Sequence, residues 1–133
     1  MKVFTTRLKV RSYECDSYGH VNNAVYLNYM EFARMEALQE NGFTLDSMKA
    51  NNYLVVVRRI EIDYKLPLFM GEEIVIKTFL SDARTSSGTF TQQIFRAKDD
   101  KLCAEGKVTW VFTNLTGKPI PIPPEIREAF EMN

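Results

Sequence analysis

The residues best suited to chemistry lie together in one short polar run, Asp16-Ser17-Tyr18-Gly19-His20-Val21-Asn22-Asn23, which leads into the most apolar helical segment of the chain. The start of a buried helix offers unpaired backbone N–H groups and the positive end of the helix dipole, in a place poor in water. Such a setting suits a carbonyl oxygen that gains negative charge during acyl transfer. Asp16 stands a few residues upstream, where a carboxylate can attack that carbonyl or activate a water. The same run also has a purely structural reading, in which Asn22 or Asn23 caps the helix. The two readings are compatible, and residue types alone leave both open.

Other chemistries have little to work with. His20 is the only histidine, so any Ser-His-Asp triad, Cys-His dyad or multi-histidine metal site must use it, and no metal site is expected. The six glycines stand singly at 19, 42, 71, 88, 106 and 117, which leaves no Gly-rich phosphate loop, dinucleotide fingerprint or nucleophile elbow, and no cofactor is expected. Cys15 with His20 is a conceivable nucleophile and base, but a cysteine beside a strand end more often packs. Cys15 and Cys103 form no paired motif and read as reduced thiols. Seventeen Lys plus Arg against seventeen Asp plus Glu give a net charge of zero, a poor match for nucleic acid. The N-terminus has no apolar signal core and no segment approaches the ~20 apolar residues of a membrane span, so a cytoplasmic protein is expected. Asn114-Leu115-Thr116 matches a glycosylation sequon and reads as a turn before Gly117 and Pro119.

The elements that must position the polar run follow from periodicity. A chain of 133 residues, 45% hydrophobic with nine Phe, six Tyr and one Trp, is enough for one domain spanning residues 1–133. Val3 to Tyr13 alternates, with Phe4, Thr6, Leu8 and Val10 on one face, as a strand does. Ala24 to Glu40 lacks Gly and Pro and ends at Asn41-Gly42, which predicts a helix. Its apolar residues occupy most directions around the axis, so burial on more than one side is expected. Thr44 is placed to cap a short helix through about Ala50. Four further strands, Tyr53 to Lys65, Glu73 to Asp82, Ser87 to Lys98 and Leu102 to Thr113, are separated by turns and predict an antiparallel meander. After a proline-rich stretch, Glu125 to Met132 reads as a brief terminal helix with Pro124 in its first turn. The fold class is α+β: a five-stranded antiparallel sheet wrapped around one long helix, with short extra helices.

The run Asp16-x-x-Gly19-His20-Val21-Asn22-Asn23-x-x-Tyr26-Leu27-x-Tyr29-x-Glu31-x-Ala33-Arg34 resembles the signature of the 4-hydroxybenzoyl-CoA thioesterase-like branch of hotdog-fold proteins, especially bacterial long-chain acyl-CoA thioesterases. The similarity is strongest from Val10 to Arg34. It continues through Leu54 to Val57, Ile60-x-Ile62-x-Tyr64-x-x-Pro67, Ser86-Ser87-Gly88 and Val108 to Phe112. The resemblance implies a hotdog fold and hydrolysis of an acyl-CoA to free acid and coenzyme A, within fatty acid metabolism. Asp16 would be general base or nucleophile and the Asn23 main-chain N–H the oxyanion donor, with Asn22, His20 and Tyr26 positioning substrate; for His20 a structural role is expected ahead of proton transfer. Arg58 and Arg59 interrupt an apolar strand and would meet coenzyme A phosphates, and Ser86 and Ser87 would approach the same moiety. The family builds its site between two subunits, which implies a homodimer or homotetramer. An acyl carrier protein thioesterase and a non-catalytic acyl-CoA-binding module are the alternatives. On the helix, Glu31 and Arg34 are expected to pair with one another, and Tyr26, Tyr29, Met30 and Phe32 belong either to the core or to an acyl tunnel.

Overall fold

A computed structural model describes residues 2–132. The chain runs through strand β1 (Val3–Lys9), a 3-10 turn (Ser12–Glu14), helix α1 (Val25–Glu40), helix α2 (Leu45–Ala50), strands β2 (Leu54–Tyr64), β3 (Glu73–Ala83), β4 (Ser87–Arg96) and β5 (Lys101–Thr113), and helix α3 (Pro124–Ala129). Local chemistry sets the boundaries. Thr44 caps α2 by accepting the Ser47 N–H at 3.0 Å, and Pro124 opens α3 where its missing N–H costs nothing.

All five strands pair antiparallel, in the order β1-β3-β4-β5-β2. The expected four-strand meander is therefore correct only for β3, β4 and β5; β2 crosses over to pair with β5. The cause lies at both ends of β3. Its outer side is taken by β1, in register from Val3 opposite Phe79 to Lys9 opposite Glu73. The segment between β2 and β3 is no hairpin: Lys65 and Leu66 donate to the Cys103 carbonyl, and fully buried Leu68 accepts from Val21 N–H at 2.8 Å.

Helix α1 lies across the sheet and buries Tyr26, Tyr29, Met30, Ala33 and Ala37, a stripe at helical spacing; the first four pack with Leu68, Ile74, Ile76, Ile94 and Val108, and Ala37 with the second cluster. Gly106 on β5 permits the approach, because a Cβ there would collide with the Met30 thioether. Burial on more than one side is not observed. Leu27 is 40% and Phe32 43% exposed, since the sheet covers one side of α1 and no other element among the described residues covers the opposite one. A second cluster, including Phe4, Phe90, Trp110, Phe112 and Ile126, lies beneath α3 and the proline-rich segment.

Candidate active site

The loop that carries Asp16 is braced from below by Glu14. This buried carboxylate accepts from the Arg11 N–H at 2.7 Å, the Arg11 guanidinium at 3.2 Å and the Tyr29 hydroxyl at 2.9 Å, while the Glu14 carbonyl accepts from Asn22 N–H at 2.9 Å. Loop and helix are thereby tied together. Cys15 bridges Val21, and His20 bridges Phe69 with the two rings edge to face at 4.8 Å.

Within the loop, Asp16 N–H donates to the His20 carbonyl and Gly19 N–H donates to the Asp16 carbonyl. Gly19 closes this turn at φ +82°, a conformation that favours glycine. The Asp16 side chain is exposed, yet held: its Oδ1 accepts from Tyr18 N–H at 2.9 Å and His20 N–H at 3.2 Å. Oδ2 accepts from no described protein group. One carboxylate oxygen is thus anchored and the other is open to a ligand.

Ahead of α1, whose N-cap Ala24 has no side chain able to cap, the Asn22 side chain accepts from Ala24 N–H at 3.0 Å and its carbonyl from Val25 N–H, so Asn22 satisfies two donors of the turn that leads into the helix. Asn23 differs. Its N–H has no partner among the described residues, and its carbonyl accepts from the Tyr64 hydroxyl at 3.1 Å, which holds the peptide in place. Asp16, His20, Asn23, Tyr26 and Tyr64 line one open cavity of about 340 Å³, with Lys65 on its wall. The cavity therefore joins a free carboxylate oxygen, a free N–H and the positive end of a sixteen-residue helix. Burial pushes the Tyr26 phenol up to about 12, so it stays protonated and neutral. Burial, then the Glu14 and Asp16 carboxylates, push the Cys15 thiol up, which removes the thiolate that a Cys15–His20 pair would need.

The other sequence candidates fall elsewhere in the chain. Arg58 occupies a bulge between Val57 and Arg59, and Arg59 pairs with Glu61 at 2.8 Å on the surface. Ser86 and Ser87 stand at the β3–β4 turn, in the row of Val111 and Val56, at the end of the sheet away from the Tyr64 row beside Asp16. None of these four lines the Asp16 cavity. The expected Glu31–Arg34 pair is absent, because Arg34 donates to the buried Gln92 side chain at 2.9 Å instead. Tyr26, Tyr29 and Met30 are core, whereas Phe32 is exposed. Sequence reading missed the bracing by Glu14 and Tyr29 and the Tyr64 contact, for which the only local signal was an acidic residue three positions after Arg11.

An antiparallel sheet wrapped on one long helix, with its polar loop at the helix start, defines the hotdog fold. This chain belongs to the thioesterase-like superfamily, which matches residues 10–130, and it is a thioester hydrolase. It is 35% identical over 127 residues to the long-chain acyl-CoA thioesterase FadM of Escherichia coli, covering 95% of this chain and 96% of the relative. It is 32% identical to the chloroplastic acyl-acyl carrier protein thioesterase ATL3 of Arabidopsis thaliana, covering 92% of this chain and 65% of that protein. The crystal structure of YbaW, a probable thioesterase from Escherichia coli, superimposes with a TM-score of 0.84 at 35% identity, covering 97% of each chain.

Proposed function

We propose that this protein hydrolyses acyl-CoA thioesters to the free carboxylic acid and coenzyme A, with Asp16 driving the step. One observation carries the assignment: a carboxylate fixed through one oxygen and open at the other shares a cavity with the unpartnered Asn23 N–H. The thioester carbonyl oxygen accepts from that N–H, and the helix dipole stabilises the negative charge that grows on it. Two routes fit the geometry. As nucleophile, Asp16 bonds to the carbonyl carbon, the C–S bond breaks, coenzyme A leaves as thiolate, and water then splits the resulting anhydride. As general base, Asp16 takes a proton from water, the hydroxide adds to the carbon, and the proton passes to the departing sulfur. A thiol leaving group with a pKa of ~8.5 needs no strong general acid, so a site with a single histidine suffices. No metal and no cofactor take part in either route.

The active unit in this proposal is a homodimer at least. The outer edge of β2 pairs with no strand among the described residues, and Val55, Val56, Val57 and Ile60 are 36–48% exposed along it. An open apolar edge of this kind ordinarily pairs with another strand. Similarity to ATL3 supports a second reading, in which the thiol carrier is an acyl carrier protein.

The test is release of free thiol from a panel of acyl-CoAs and matched acyl carrier protein thioesters. Turnover of the acyl-CoAs with a higher kcat/KM is the expected outcome. No release from any of them overturns the assignment, and preference for the carrier protein selects the second reading. Trapping separates the routes, since only the nucleophilic one forms an anhydride that hydroxylamine converts to an Asp16 hydroxamate, read by mass spectrometry of the quenched protein.

A further inference from the structure

Glu14 is a buried acid that neither hydrolytic route uses. Both of its oxygens are occupied by donors of the chain: Oε1 accepts from Arg11 N–H at 2.7 Å and from the Tyr29 hydroxyl at 2.9 Å, and Oε2 accepts from the Arg11 guanidinium at 3.2 Å. The two Arg11 contacts are local and suffice to close the 3-10 turn Ser12–Glu14. The third is not local. Tyr29 stands fifteen positions along the chain, on α1 and 2% exposed, so its hydroxyl joins the turn to the body of the helix. Burial first, then the Glu14 hydrogen bond, push the Tyr29 phenol above its ordinary range, which keeps it a donor. Burying a carboxylate costs free energy that an apolar pair in its place would not. Charge-assisted hydrogen bonds supply what apolar contact does not, a single fixed position.

The main chain of Glu14 stands at a fork. Residues 14–16 run antiparallel to residues 20–22, through the Glu14 carbonyl to Asn22 N–H at 2.9 Å, the Cys15–Val21 bridge, and Asp16 N–H to the His20 carbonyl at 2.8 Å. Asp16 ends one side of this small ladder. On the other side Asn22 leads directly to the Asn23 N–H, and the Asn22 carbonyl is tied to Val25 N–H in α1. Glu14 thus holds the ladder that carries Asp16 against the helix whose start carries the Asn23 N–H. We propose that Glu14 is a positioning residue for the hydrolysis, which through Tyr29 sets the separation between the Asp16 carboxylate and the Asn23 N–H. The inference rests on the thioesterase reading of that cavity. Reacting groups tolerate little displacement, and ~1 Å is enough to cost ~100-fold in rate.

Three substitutions test it. Glu14→Ala frees the ladder from α1, Tyr29→Phe removes only the long-range bond, and Glu14→Gln keeps an oxygen that accepts from both Arg11 N–H and the Tyr29 hydroxyl. Acyl-CoA turnover, melting temperature and deuterium uptake of residues 14–24 are measured on each intact protein. Glu14→Ala is expected to lose ~100-fold in kcat with KM within a few-fold of the parent, Tyr29→Phe to lose less, and Glu14→Gln to recover most of the rate. Uptake of residues 14–24 should rise in the first two variants. A Glu14→Ala protein that melts lower but keeps the parental kcat has lost only stability, and that overturns the proposal. So does a Glu14→Gln protein as slow as the alanine variant, since charge rather than hold would then be what counts. Where the alanine variant does not fold, Tyr29→Phe decides: slower turnover with raised uptake supports the proposal, and a parental value of either overturns it. Asp16→Asn in the same series keeps the two readings apart. Parental turnover there ends the Asp16 mechanism, whereas a slow Asp16→Asn beside a parental Glu14→Ala ends only the positioning role.

Discussion

At the scale of single residues, Asp16 is the position on which the chemistry turns. Asp16→Asn keeps an oxygen to accept from Tyr18 and His20 N–H and removes the charge that a base or nucleophile needs. The variant should fold and assemble as the parent does, with kcat down ~100-fold to 10,000-fold and KM little changed. Thioester turnover and melting temperature on one preparation check this, and a folded variant within a few-fold of the parental kcat removes Asp16 from the mechanism. Tyr26 makes a different prediction, about pH. Its folded pKa of about 12 lies above the ~10 of an unfolded tyrosine, so its contribution to stability is complete below pH ~10 and is lost as pH rises through 12. Tyr26→Phe should therefore flatten the alkaline fall in stability by about one proton in that window, read from denaturant midpoints at a series of pH values. That a carboxylate stands just ahead of the helix start was legible in the sequence, although residue types alone left its use open between chemistry and structure. Its bracing by Glu14 and Tyr29 was not, because that contact joins residues fifteen apart through a buried hydrogen bond.

Elements in this fold meet where glycine lets them. On β4, a Cβ at Gly88 would press on two ring carbons of Trp110 at 2.5 and 2.7 Å and on the Asp82 carbonyl at 3.0 Å. On β5, a Cβ at Gly106 would meet chiefly the tip of Met30. An indole held among aromatic rings cannot bend away, and a thioether end can. Gly88→Ala should accordingly cost about 1–3 kcal/mol and disturb Trp110 emission, while Gly106→Ala costs less. Thermal unfolding of the two variants side by side is the measurement, and equal losses would contradict it. Most element boundaries were legible to within a residue or two, since caps and prolines act locally, as at Thr44 and Pro124; the end of β1 was expected four residues late and the end of α3 three residues late, where no cap or proline marks the stop. Strand order was not, because the choice between β3 and β5 as neighbour of β2 depends on β1 having already taken the free side of β3.

For the molecule as a whole, the bare outer edge of β2 is the largest unmet demand. Val56→Lys places a charge on that edge, which should weaken self-association while leaving the pairing with β5 intact. Light scattering at micromolar concentration should show the parent as a dimer or larger and the variant shifted toward monomer, with thioester turnover falling in parallel. A parent protein that is monomeric and fully active would end the proposal of a shared site.

The sequence by itself determined the elements, the α+β class, the carboxylate loop at the helix start and the resemblance to hotdog thioesterases. Those features depend on short-range periodicity, on caps and on a contiguous run of residues. Only the tertiary structure decided that β2 pairs with β5, that α1 is buried along a single stripe, and that Arg34 reaches Gln92 rather than Glu31. It also decided that, among the described residues, neither the Asn23 N–H nor the buried Trp110 Nε1–H has an acceptor. Each of these is a competition between partners distant in the chain. Such competitions are settled by which surfaces are already covered when the sheet closes on the helix, and residue type does not encode that.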